Sequence, residues 1–106
     1  MSYSLLEKAP KDHHSSEFIE FIRKNNVVIF DIDQWVIVEN CKYHHKDGNK
    51  AWWTAFYNGD RTPLALDDVS ITDFANLSEM MPRSWEMRIK RASDRTVDRF
   101  HVHLIE

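Results

Sequence analysis

Residues 96–106 read TVDRFHVHLIE, and the layout of this stretch decides how the remainder of the chain folds around it. From Phe100 onward apolar and polar residues alternate, the period of a strand with two unlike faces. One face carries Phe100, Val102 and Leu104, a set for the core. The other carries Val97, Arg99, His101, His103 and Ile105, with neighbours on that face about 6.5–7 Å apart. Two imidazoles and a guanidinium thus share one surface, and His101 is expected to face a pocket or solvent.

Upstream, Trp85–Arg91 reads as the partner of Val97–Ile105 in a closing hairpin around Ser93–Asp94–Arg95. Before it, Ser70 with Asp73 three residues on resembles a capping box. Ile71, Phe74, Leu77 and Met81 mark one face of a helix that Pro82 stops. AWWTAFY (51–57) is a strand ended by Asn58–Gly59–Asp60, and KYHHKDGNK (42–50) a connecting loop. Val27–Phe30 and Trp35–Glu39 form a hairpin across Asp31–Asp33. Ser15 or Ser16 caps an earlier helix, whose core stripe is Phe18, Ile19, Phe21 and Ile22 and whose end is Asn25–Asn26. The order α-β-β-β-α-β-β predicts an α+β domain: an antiparallel sheet of about five strands with two helices.

A length of 106 residues bounds one domain, which should bury roughly two-thirds of its unfolded surface. Residues 1–15 read as a polar, loosely packed leader and 16–106 as the domain. A net charge of −3 gives no whole-molecule pull toward nucleic acid or membrane. The single cysteine, Cys41, allows no internal disulfide and fits a reducing compartment. No signal peptide is visible, and no apolar run approaches the ~20 residues of a membrane span. The expected setting is cytoplasmic.

The segment DRTVDRFHVHLI (94–105) resembles the histidine-triad (HIT) motif, Gly-Gln-Ser/Thr-Val-x-His-φ-His-φ-His-φ-φ, where φ is apolar. Thr96 and Val97 match the Ser/Thr-Val pair; Phe100, Val102, Leu104 and Ile105 match the φ positions. His101 falls on the central histidine and His103 on the last. The departures are Arg99 for the first histidine, Arg95 for the glutamine and Asp94 for the glycine, together with the absence of the usual proline-histidine segment after the central strand. Only this final dozen residues is specific, although the order of elements over 17–106 is similar in kind. A register starting the triad at His101 loses the Thr-Val match.

The resemblance implies a HIT-like fold and a nucleotide or nucleotide conjugate as ligand, with His101 attacking the α-phosphorus and His103 and Thr96 bonding phosphate oxygens. Arg99 would favour the neutral, nucleophilic form of His101 and hold non-bridging oxygens. Arg95 is a candidate replacement for the glutamine, and Asn40 stands near the family's ribose-contacting position. Trp35, Trp52 and Trp53 are candidates for stacking a base but more often core residues, and Arg88, Lys90 and Arg91 form a small basic run. The family also implies a possible homodimer. No cofactor is implied.

Three readings follow: a nucleotide hydrolase or nucleotidyl transferase, a catalytically impaired HIT-like module that binds a nucleotide or a protein, and a zinc site. Small genomes such as those of phages often carry compact domains of the second kind. The zinc reading needs a third ligand, such as His44, His45 or a carboxylate, beside His101 and His103, and Arg99 on the same face repels a dication.

Overall fold

A computed structural model describes residues 8–32, 34–39, 51–58, 69–89, 97 and 99–106. The first helix, α1 (Ser16–Asn25), starts where the Ser15 hydroxyl accepts the Phe18 N–H, leaving Glu17 in the first turn against the positive end of the dipole. It ends where two side-chain amides supply donors that the helix lacks. Asn25 Nδ2 donates to the Phe21 carbonyl and Asn26 Nδ2 to the Ile22 carbonyl. Its buried side is Phe18, Ile19 and Ile22.

Five strands follow: β1 (Val28–Ile32), β2 (Trp35–Glu39), β3 (Trp52–Tyr57), β4 (Glu86–Arg88) and β5 (His101–Ile105). They form one sheet in the order β1-β2-β3-β5-β4, with every neighbouring pair antiparallel. β5 therefore lies inside the sheet, between β3 and β4. A register irregularity between Val28 and Phe30 bends β1 at the edge, a common way of blunting an open strand.

The second helix, α2 (Ile71–Met80), lies between β3 and β4 in sequence and is capped by the Ser70 hydroxyl, which accepts the Asp73 N–H. Its C-cap is Met81, just before Pro82. Leu77 is its buried residue, with Phe74 and Met80 packed at the margin of the same cluster. The expected stripe included Ile71, which is instead 88% exposed. Ile71 is the first residue of the helix, and the side chains that reach the core come later, at Phe74 and Leu77.

Each helix covers a different face of the sheet. On the α2 side, Leu77 packs with Trp35, Ile37, Phe100, Val102 and Leu104. Asp73 fastens this helix twice, its carbonyl accepting Trp35 Nε1 at 2.8 Å and its carboxylate accepting the Tyr57 hydroxyl at 2.8 Å. On the α1 side, Phe18, Ile19 and Ile22 pack on Val36, Val38, Phe56 and Val97. The expected α+β architecture, with its five-stranded antiparallel sheet and two helices, is the observed one.

Candidate functional site

The alternation expected of residues 100–105 is present, and its two faces lead into different surroundings. Phe100, Val102 and Leu104 enter the α2-side cluster. His101 and His103 share the opposite face, their rings 5.3 Å apart and edge-to-face. Regular strand begins only at His101; Val97 and Arg99 precede it in irregular backbone.

Exposure is where the expectation fails. His101 is 7% and His103 8% exposed, and Arg99 only 3%. The α1 side of the sheet is a second packed layer, so a side chain turned away from the main cluster enters another interior. The Phe56 ring lies against His101 with centroids 5.5 Å apart, and Phe18 of α1 lies against Phe56 in turn.

Antiparallel pairing with β3 sets Thr54 opposite His103 and Phe56 opposite His101. Trp52 Nε1 donates to His103 Nδ1 at 3.2 Å, and the Thr54 hydroxyl stands 3.3 Å from the same nitrogen. Sequence reasoning set Trp52 aside as a core residue or base-stacking surface and did not consider Thr54. The signal was nonetheless present: in AWWTAFY the alternation puts Trp52, Thr54 and Phe56 on one face, and pairing with the last strand would have aligned them with the histidines. On the other side, β4 places Arg88 opposite His103, its guanidinium 5.6 Å from the Trp52 ring centroid.

The guanidinium of Arg99 is turned onto main-chain carbonyls. Its Nε donates to the His13 carbonyl at 2.7 Å, Nη1 to the Tyr57 carbonyl at 2.9 Å and Nη2 to the Ser15 carbonyl at 2.8 Å. A guanidinium is suited to this because it presents several donors in one plane. Burial lowers its pKa and the charge of Asp12 pulls it back up. These three bonds join the N-terminal segment to the sheet.

Trp35 is fully buried in the α2-side cluster and Trp52 is buried on the opposite face, while Trp53 packs against Trp85 with ring centroids 4.4 Å apart. Thr96, Arg95 and Asn40 lie outside the described residues, as do Lys90, Arg91, His44, His45 and Ser93–Asp94–Arg95, where a turn was expected. Arg88 is described, exposed and ion-paired with Glu86 at 3.1 Å. Among the described residues, no three His, Cys, Asp or Glu side chains are grouped so as to hold a metal ion. No helix among them is long and apolar enough to cross a membrane.

Comparisons with protein families, with curated proteins and with solved structures returned no match to this chain.

Proposed function

We propose that this chain is a HIT-like binding or interaction module in which the histidine strand serves the fold, and that it is not a histidine-nucleophile enzyme. The observation carrying this reading is the engagement of Arg99 by three main-chain carbonyls. The cation that would have stabilised a transferring phosphoryl group holds the protein's own backbone instead. Burial of His101 beneath Phe56 supports the same reading, because a nucleophile needs an open approach to phosphorus. A nucleotide hydrolase or nucleotidyl transferase working through His101 would first have to expose that ring.

The ligand of the module is a nucleotide, a nucleotide conjugate or a protein surface, in a reducing, cytoplasmic setting that the lone Cys41 favours. A homodimer is compatible with it. The deciding experiment incubates the protein with labelled nucleotide conjugates and looks for turnover and for acid-labile label on His101. The expected result is neither; a phosphoramidate at His101 overturns the proposal. A rise in melting temperature with nucleoside monophosphates, without turnover, assigns the ligand to the nucleotide class.

A further inference from the structure

The sheet has two edges, and they differ in what they offer a partner. β4 is three residues long, with an ion pair between Glu86 and Arg88. A short, charged edge of that kind resists further pairing. β1 is five residues long, and Asp31 is its one charged residue. Its strand neighbour is β2 on one side, so among the described residues the N–H and C=O groups turned outward meet no further strand. The irregularity between Val28 and Phe30 disturbs one end, while Phe30, Asp31 and Ile32 stay in register with Ile37, Val36 and Trp35.

Residues opposite one another on paired strands share a face. Phe30 and Ile32 therefore belong to the α2 side, with Ile37 and Trp35, yet they are 37% and 53% exposed. Trp53 adjoins them from β3, its ring edge-to-face with Phe30 at 6.3 Å. Asp31 belongs to the α1 side, where the Arg23 guanidinium donates to its two carboxylate oxygens at 2.8 and 3.1 Å. Arg23 is also ion-paired with Glu20. One guanidinium shared by two carboxylates leaves a negative charge uncompensated beside the edge. Lys24, next along the helix, pairs with neither carboxylate.

From these features we infer that β1 is a docking edge that takes an extended polypeptide segment as a further strand. The segment carries a basic residue opposite Asp31, between two apolar residues opposite Phe30 and Ile32. The inference rests on the reading of the chain as a binding module and names its partner's chemistry. In strand addition, main-chain bonds supply affinity and alternate side chains supply specificity. Here the apolar pair covers Phe30 and Ile32, and the cation balances the Glu20–Arg23–Asp31 group. A second β1 fits this edge less well. The two-fold register that sets Phe30 against Ile32 also sets Asp31 against Asp31, and like charges directly opposite are destabilising.

The test titrates two capped peptides into the isotope-labelled full chain and follows backbone amide shifts by NMR. One is acetyl-threonine-valine-lysine-valine-threonine-amide; the other has glutamate in place of lysine. The lysine peptide should shift the amides of β1 and bind about fivefold or more tightly than the glutamate peptide, because an attractive cross-strand pair replaces a repulsive one. Ile32→Lys, at an exposed position, should abolish the shifts, and Asp31→Asn should bring the two peptides to similar affinity. If Ile32→Lys does not fold, the Asp31→Asn comparison decides. No shift with the lysine peptide, equal affinity of the natural protein for both peptides, or shifts centred on β4 overturns the inference. Sedimentation showing a dimer that Ile32→Lys dissolves gives the edge to a second copy and overturns it too. A rise in melting temperature with nucleotide but no peptide binding also overturns it, while leaving the module reading in place.

Discussion

Toward α2 the sheet presents Trp35, Ile37, Phe100, Val102 and Leu104, with Asp73 at the margin of that face accepting from Trp35 and Tyr57. Toward α1 it presents Val36, Val38 and Phe56, and then Thr54, His101 and His103 at comparable depth. The first face gains stability by removing carbon from water and tolerates approximate fit. The second depends on each polar atom meeting its partner, because a buried donor or acceptor left unpaired costs about 1–3 kcal/mol. Alternation in a strand separates two faces without saying that either one is wet.

Substitutions on each side can break or sharpen this contrast. Phe100→Ala should have the largest effect, costing about 3–5 kcal/mol in urea unfolding as the truncation of a fully buried ring. A loss below ~1 kcal/mol would mean that the α2-side layer is not the principal core. Arg99→Ala should cost about 2–3 kcal/mol, since it strips charge-assisted bonds from three carbonyls, and Arg99→Lys should recover only part of that because an ammonium lacks the planar fork. Full recovery by lysine would show that charge, and not the three-way geometry, is what matters. Ile71→Ser should change stability by less than about 0.5 kcal/mol. A larger loss would return Ile71 to the core stripe that its spacing suggested.

The parts of this molecule that were legible in sequence are those governed by near neighbours. Ser15 and Ser70 cap the helices expected of them, and the two helices and five strands appear in the expected order, because caps and alternation operate over a few residues. The burial of the histidines was not legible. It depends on which face α1 docks against, and that choice is made by Phe18, Ile19 and Ile22 meeting Val36, Val38 and Phe56. Arg99 was harder still to read. Its carbonyl partners at His13 and Ser15 lie 86 and 84 residues away, far beyond any local pattern. A motif match reports residue types at fixed spacing, and a structural arginine and a phosphate-binding arginine look alike at that level.

The position of β5 between β3 and β4 bears on how the protein is made. Synthesis delivers this strand after the other four, yet it occupies the sheet's interior. A nascent chain that has reached only β4 carries β3 as an open seam, with Trp53 and Ala55 lacking the strand neighbours Leu104 and Val102. Such a chain is open to mispairing until residues 101–105 clear the ribosome. Stalling before residues 101–105 emerge should yield aggregation or chaperone capture, whereas their emergence should let the sheet close between β3 and β4.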